Sequence, residues 1–117
     1  MKQVLLVEDD PDLRRVCAET LKELGYDVLE AANGVEAIEQ LGHAKPAGMI
    51  LDLRLPVKDG YAVLREVRES QTHASLPVIV ISGAATGKWS LKVGADAYLA
   101  KPFDLHELTK TMRRVIH

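Results

Sequence analysis

Three stretches of the sequence are almost entirely apolar, and each of them ends in small or polar residues. They are QVLLVEDD, GMILDL and LPVIVISG, in that order along the chain. Uninterrupted aliphatic runs of this length are typical of strands that are buried on both faces, as in a parallel sheet. Two weaker runs, YDVLEA and AYLA, complete a predicted set of five strands.

Between these runs, apolar residues recur at every third or fourth position, which predicts amphipathic helices with one stripe facing the core. Asp104, followed three residues later by Glu107, resembles a capping box at a helix start. Gly25 and Gly42 suit helix ends. The predicted stripes consist of Leu13, Val16, Cys17, Thr20, Leu21 and Leu24; of Tyr61, Leu64 and Val67; and of Leu105, Leu108, Met112 and Val115.

Strand and helix alternate along the whole chain, which predicts an α/β fold, a doubly wound five-stranded parallel sheet with helices on both faces. We expect residues 1–117 to form one domain, because no linker, repeat or low-complexity segment interrupts the pattern. The exception is GAATGKWSLKVGA, residues 83–95. It leaves room for little more than one or two helical turns, so the fourth helix is predicted to be short or irregular.

Composition and charge narrow the classes of function. The net charge of −2 provides no basic surface of the kind that binds nucleic acid non-specifically. The single cysteine, Cys17, excludes an internal disulfide and a cysteine-based zinc cluster, and it fits a reducing, cytoplasmic setting. No apolar run approaches the roughly 20 residues that span a bilayer. We therefore expect a cytoplasmic protein with no direct nucleic-acid partner and no membrane insertion.

Polar residues follow the predicted strands at the edge where a doubly wound sheet binds its ligands. The first strand is followed by Glu8, Asp9 and Asp10, the third ends at Asp52, the fourth at Ser82 and the fifth at Lys101. Carboxylates held together repel one another, and the usual resolutions are a bound cation or a raised pKa. Oxygen ligands favour a hard ion such as Mg²⁺.

Taken one at a time, each of these residues is also compatible with an ordinary structural role. The acidic trio suits a helix start, with Asp10 as N-cap before Pro11. Asp52 is compatible with a turn, and Lys101 with a solvated surface charge. The joint placement at one sheet edge is what favours a binding site.

Four blocks of the sequence, VLLVEDD, ILDLRLPVKDG, VIVISG and GADAYLAKPF, resemble the signature blocks of the receiver domain of bacterial two-component response regulators. They occur in the same order and cover the whole chain. The resemblance implies a flavodoxin-like fold with strand order 2-1-3-4-5 and a signalling switch operated by phosphorylation. Asp52 would accept the phosphoryl group from a histidine kinase or a histidine phosphotransfer protein. No enzymatic activity is expected beyond this self-transfer and the later loss of the phosphoryl group.

The same resemblance implies a magnesium cofactor and its ligands. Glu8 and Asp9 correspond to the acidic pair that holds Mg²⁺, with Asp9 a direct ligand and Glu8 more often acting through water. Asp52 and the backbone carbonyl of Arg54 would complete the protein ligands.

The resemblance also implies that further residues take part in the phosphorylation switch. Ser82 and Lys101 would contact the phosphoryl group, and Tyr98 would turn inward as the aromatic switch. The bond between Lys101 and Pro102 is expected to be cis.

The predicted short fourth helix changes which surface we expect to contact partners. Receiver domains commonly present the fourth helix, the fifth strand and the C-terminal helix to a downstream protein or a second receiver. With the fourth helix curtailed, we expect the output surface to centre on the fifth strand and the C-terminal helix. Trp89 lies in the shortened segment and is expected to cover the core, the alternative being a contact with a partner.

Three other interpretations stay open. A phosphohydrolase of the haloacid-dehalogenase type shares the sheet-edge carboxylates, but it needs an aspartate where Arg54 stands. A receiver-like interaction scaffold that ignores phosphorylation would not need the complete set of acidic, hydroxyl and lysine residues. The third interpretation is that the chain is a receiver excised from a larger regulator.

Overall fold

The computed structural model describes residues 2–83 and 87–116. The strands are β1 Gln3–Val7, β2 Asp27–Ala31, β3 Gly48–Asp52, β4 Val78–Ser82 and β5 Ala97–Ala100. The helices are α1 Pro11–Glu23, α2 Gly34–His43, α3 Gly60–Glu69 and the C-terminal α4 Leu105–Val115, with a 3-10 helix at Gly87–Val93. The strands are parallel and form one sheet in the order β2-β1-β3-β4-β5, which confirms the predicted topology. Among the described residues, no helix is long and apolar enough to cross a membrane.

The apolar side chains of the strands lie alternately in two apolar clusters, one on each face of the sheet. Leu5 and Val7 of β1 belong to the cluster with α2 and α3, whereas Val4 and Leu6 belong to the cluster with α1 and α4. All four side chains are fully buried. Because neither face of β1 meets solvent, the sequence run is apolar without alternation. A charge inside such a strand would be costly, so the polar groups stand at the strand ends.

Acidic or amide side chains cap the four α-helices at their first turns. Asp104 accepts from the backbone N–H of Glu107, and the Glu107 side chain reaches back to the cap, so the predicted capping box is confirmed. Gly25 follows α1 with a φ of 96°, as suits a helix end. Gly42 lies inside the last turn of α2, so the end predicted there is wrong by a residue or two. The caps are Asp10, Asn33, Asp59 and Asp104.

The connection between β4 and β5 contains the 3-10 helix Gly87–Val93, which confirms the prediction of a short or irregular fourth helix. Residues 84–86 lie outside the described residues. A 3-10 helix repeats every three residues and turns only one narrow row toward the sheet, here Gly87 and Ser90. Trp89 lies on the outer side and is 55% exposed, so the expectation that it covers the core is wrong.

Gly60 starts α3 directly against the backbone that follows β3. A Cβ at this position would lie 2.4 Å from the backbone oxygen of Asp52 and 2.5 Å from the Cα of Leu53. The Gly60 N–H donates to the Leu53 carbonyl at 2.9 Å. Backbone atoms cannot move aside as a flexible side chain does, so the close approach of α3 to the end of β3 requires glycine.

We expect Gly60→Ala to lower the free energy of unfolding by about 1–3 kcal/mol, because the added methyl group overpacks against backbone. Gly42→Ala is the matched control: nothing lies within 4 Å of its Cβ position. In a helix, alanine at that position gains up to about 1 kcal/mol over glycine. Urea unfolding followed by circular dichroism measures both variants. Similar effects from the two substitutions would contradict the role given to Gly60.

Candidate functional site

Four of the strands bring polar side chains to one edge of the sheet. They are Glu8 after β1, Asp52 at the end of β3, Ser82 at the end of β4 and Lys101 after β5. Glu8 and Ser82 are 0% exposed and Asp52 is 2% exposed. The backbone N–H of Lys101 donates to the Ser82 carbonyl at 2.9 Å, which ties the ends of β4 and β5 together. The structure thus gathers the polar residues that the sequence places at the strand ends.

The Lys101 ammonium lies between two buried carboxylates. Its Nζ is 2.9 Å from Glu8 Oε1 and 3.0 Å from Asp52 Oδ2, and it donates a hydrogen bond to Asp52. Burial lowers the pKa of Lys101, but the contacts with Glu8 and Asp52 together outweigh burial and raise the pKa above its ordinary value. Lys101 therefore stays charged and offsets the repulsion between the two carboxylates.

Glu8 is a buried carboxyl group whose pKa is raised by its surroundings. Its Oε2 accepts from the backbone N–H of Asp10 at 3.1 Å. Its Oε1 has the distance of an ion pair with Lys101 but accepts no hydrogen bond from the described residues. Burial raises the pKa of Glu8 from 4.5 to about 7, against a lowering by Lys101 and with a further rise from Asp52. The charge of Glu8 near neutral pH thus depends on which cation lies beside it.

The orientation of Asp52 is fixed at both of its oxygens. Oδ1 accepts from the backbone N–H of Arg54 at 3.0 Å, and Oδ2 accepts from Lys101. The Arg54 side chain is exposed at the rim of the site. The role of the Arg54 carbonyl as a metal ligand stays a prediction.

The donor set at this edge fits a divalent cation. One carboxylate oxygen from each of Glu8, Asp9 and Asp52 lies within 4.8 Å of the others. Asp9 is exposed, which leaves room for the water ligands that Mg²⁺ retains. The buried Glu8 Oε1 has an ion-pair contact with Lys101 but no hydrogen bond of good geometry among the described residues, so it is a ligand atom that such an ion would satisfy. The residues present therefore suit Mg²⁺.

Arg14 supports the site in a way that the sequence did not indicate. Its Nη1 donates to the backbone carbonyl of Glu8 at 2.8 Å, and its Nε pairs with Glu30 Oε1 at 3.2 Å. Arginines near a helix start are usually solvated, and Arg15 beside it is largely exposed. The sequence does show an acidic residue, Glu30, near the end of the second strand. Predicting its contact with Arg14 would also require knowing that β1 and β2 are neighbours in the sheet.

Tyr98 lies on β5, three residues before Lys101, and is partly buried. Its ring packs directly on Gly87 of the 3-10 helix: a Cβ at residue 87 would lie 2.4 Å from Tyr98 Cε1 and 2.9 Å from its hydroxyl oxygen. Tyr98 thus connects the end of the sheet to the 3-10 helix. The peptide bond between Lys101 and Pro102 is cis.

Residues 4–113 match the family model of the response regulator receiver domain. The chain belongs to this family. Response regulator Rre1 of Synechocystis is 38% identical to this receiver domain over 117 residues, which cover 97% of this chain and 51% of that protein. The chain spans about half the length of the curated relatives it matches.

Solved receiver domains share the fold. The receiver domain of sensor histidine kinase PA1611 from Pseudomonas aeruginosa PAO1, with a magnesium ion coordinated in its active site cleft, is 34% identical with a TM-score of 0.89. The match covers 97% of this chain and 96% of that chain. TrrA from Thermotoga maritima, in complex with Mg²⁺ and BeF, is 30% identical with a TM-score of 0.88, covering 97% and 98% of the two chains. The acidic cluster of this receiver domain fits a metal site of the same kind.

We expect Glu8→Gln to stabilise the receiver domain in the presence of a chelator, and more so at pH 8 than at pH 5. A carboxyl group whose pKa rises on folding favours the folded state at low pH, and that contribution is lost as pH rises from about 4.5 to 7. Gln does not titrate, so the variant does not lose stability in this way. The difference in unfolding free energy between the variant and the wild type should therefore grow by about 1–3 kcal/mol from pH 5 to pH 8.

The control for this comparison is Asp9→Asn, which removes an exposed carboxylate of the same cluster. It should change stability by less than about 0.5 kcal/mol at both pH values. Chemical unfolding at the two pH values checks the expectation. A Glu8→Gln effect that does not depend on pH would contradict it.

Proposed function

We propose that this receiver domain is a phosphorylation-switched signalling module, in which Asp52 accepts a phosphoryl group from a histidine kinase or a histidine phosphotransfer protein. The observation that carries the proposal is the environment of Asp52. The carboxylate is buried at the sheet edge, has both oxygens oriented, and lies beside one lysine and two further carboxylates. A nucleophile held in this way needs little reorganisation before attack.

In the transfer, an Asp52 oxygen forms a bond to phosphorus as the bond between phosphorus and the donor imidazole breaks, and the imidazole keeps the electron pair. Bound Mg²⁺ would neutralise the charge of the phosphoryl oxygens and align the group for in-line transfer. Glu8, Asp9, Asp52 and the Arg54 carbonyl are the ligands that we propose for it. Lys101, already 3.0 Å from Asp52, would place its charge on a phosphoryl oxygen.

The switch would follow from the added charge. A phosphoryl group brings about −1.5 to −2 charges at pH 7 where one carboxylate charge stood. Ser82, which follows the β4 residue paired with Asp52, would move its hydroxyl toward the new acceptor. Tyr98 would respond to that movement, and its contact with Gly87 would pass the change to the 3-10 helix.

The proposal extends to partners and setting. A downstream protein or a second receiver would read the switch, without direct contact of this chain with nucleic acid, in keeping with its net charge of −2. The matched relatives are about twice as long as this chain, so the alternative is a receiver excised from a larger regulator, in which further domains would carry the output. A cytoplasmic location fits the single cysteine, because disulfide-free domains are usual in reducing compartments. No activity beyond self-transfer and loss of the phosphoryl group is proposed.

We expect incubation with acetyl phosphate and Mg²⁺ to add one phosphate to the chain, because Asp52 cannot accept a dianionic group without a cation to offset the repulsion. Intact-mass spectrometry measures the addition. Excess chelator and Asp52→Asn should each abolish it. Asp27→Asn is the matched control, since Asp27 is an exposed aspartate at the start of β2.

Phosphate uptake in the presence of chelator would contradict the magnesium requirement. Uptake by Asp52→Asn would place the modified residue elsewhere. A wild-type chain that takes up no phosphate would favour the alternative of an interaction scaffold that does not use phosphorylation.

We expect Lys101→Ala to retain Mg²⁺ binding but to weaken the response of the 3-10 helix to phosphorylation. The reason is that the lysine would contact the phosphoryl group, whereas the three carboxylates would hold the ion. Calorimetric titration with Mg²⁺ and the emission of Trp89, before and after phosphorylation, measure the two effects. The control is Lys110→Ala, an exposed lysine of α4. A loss of Mg²⁺ affinity beyond about tenfold, or 1.4 kcal/mol, would contradict this division of roles.

A further inference from the structure

The peptide group between Glu8 and Asp9 lies after the end of β1 and before the start of α1, outside both elements. The Glu8 N–H donates to the Ala31 carbonyl at 3.1 Å, which continues the pairing of β1 with β2. The Glu8 carbonyl has a side chain as its partner, because Arg14 Nη1 donates to it at 2.8 Å. A peptide group is planar and rotates as one unit, so a bond to this carbonyl also fixes the direction in which the chain leaves toward Asp9.

Arg14 is itself held from two sides. It lies in the first turn of α1, where its backbone N–H donates to the Asp10 carbonyl at 2.9 Å. Its Nε lies 3.2 Å from Glu30 Oε1 on the edge strand β2. The Arg14 side chain is 23% exposed, against 67% for Arg15 beside it. A planar guanidinium can donate in two directions at once, so one arginine links the edge strand to the Glu8 carbonyl.

The position of this link matters more for the carboxylate cluster than for the stability of the fold. A partly exposed ion pair such as that of Arg14 with Glu30 adds little to stability. The carbonyl that Arg14 holds lies between two of the three carboxylates of the cluster. Mg²⁺ demands near-ideal octahedral geometry, so a displaced carboxylate weakens its binding. Mutating the residues that orient metal ligands typically weakens metal affinity by about ten- to a hundredfold.

We propose that Arg14 is a positioning residue for the magnesium site. By holding the carbonyl of Glu8, it keeps the Asp9 carboxylate close to the other two carboxylates of the cluster. Glu30 acts through Arg14, because an unpaired arginine side chain samples many rotamers. The edge strand β2 thereby influences a metal site to which it contributes none of the proposed ligands. This role rests on the magnesium site of the proposed function and extends it beyond the ligands.

Charge alone predicts the opposite effect. Arg14 is a cation next to a site for a cation, so removing its charge should strengthen Mg²⁺ binding by lowering the repulsion. A positioning role predicts weaker binding. Charge also acts equally on Mg²⁺ and Ca²⁺, whereas Ca²⁺ tolerates irregular geometry and a variable number of ligands. The loss of a positioning residue should therefore weaken Mg²⁺ binding more than Ca²⁺ binding.

The test is calorimetric titration of the unphosphorylated protein with Mg²⁺ and, separately, with Ca²⁺. We expect Arg14→Ala to weaken Mg²⁺ binding by roughly tenfold and to lower the ratio of Mg²⁺ to Ca²⁺ affinity. Arg14→Lys keeps the charge without the planar, two-directional donor, and should recover only part of the affinity. Arg15→Ala is the matched control, since Arg15 is exposed and its ion pair with Asp12 spans 3.7 Å. It should leave Mg²⁺ affinity within about twofold of the wild type.

A double-mutant cycle tests whether Glu30 acts through Arg14. Glu30→Gln alone should weaken Mg²⁺ binding by roughly threefold, and it should cause little further loss in the Arg14→Ala background. Urea unfolding with chelator shows whether each variant is folded. A purely structural role would lower that stability without changing the Mg²⁺ affinity of the folded protein. Arg14→Lys and Glu30→Gln carry the same comparison if Arg14→Ala does not fold.

The outcomes separate this role from the proposed function. A wild-type protein that binds no Mg²⁺ would overturn the magnesium site and this role with it. If the wild type binds Mg²⁺, an unchanged or raised affinity in Arg14→Ala would overturn the positioning role alone. A loss of the same size for Ca²⁺, or an equal loss with Arg15→Ala, would also overturn it. A full Glu30→Gln effect in the Arg14→Ala background would show that Glu30 acts by its own charge and would remove it from the proposal.

Discussion

The Lys101 ammonium between Glu8 and Asp52 is the interaction on which the functional edge of this receiver domain depends. Two carboxylates with exposed fractions of 0% and 2% lie within ion-pair distance of one cation. Buried charges of like sign are costly unless an opposite charge accompanies them. One lysine lies against both carboxylates, and the Asp9 carboxylate lies in the same cluster, so this edge suits a further cation.

That electrostatic arrangement follows from the sheet. Strands buried on both faces exclude charge along their length, and parallel strands end on the same side, so polar groups collect where the strands stop. Gly60 then allows α3 to begin against the backbone of Asp52, and Arg14 holds the Glu8 carbonyl from the side of α1. The carboxylates are thus positioned by backbone packing on both sides, and their spacing does not depend on flexible side chains alone.

Sequence patterns were sufficient for the parts that depend on local chemistry. The apolar runs, the helix caps and the polar residues at strand ends each have a signal within a few residues, and the strand order and the gathering of Glu8, Asp52 and Lys101 follow from the topology and the family resemblance. The contact of Arg14 with Glu30 was not predictable in the same way, because it joins residues sixteen positions apart through neighbouring strands. Exposure of Trp89 depends on which row of a seven-residue helix faces inward, and periodicity is too short there to decide.

The short 3-10 helix gives the two sides of this segment different roles. Its inner row carries Gly87, whose lack of a side chain lets the Tyr98 ring approach, so this row is in contact with the strand that leads to Lys101. Its outer rows carry Trp89 and Lys92 and meet solvent. A longer α-helix could bury an apolar stripe against the sheet, whereas a helix with one narrow inward row leaves its remaining apolar residues outside. A short 3-10 helix in this position therefore leaves apolar side chains exposed to solvent. The same segment contacts Tyr98, the predicted switch residue.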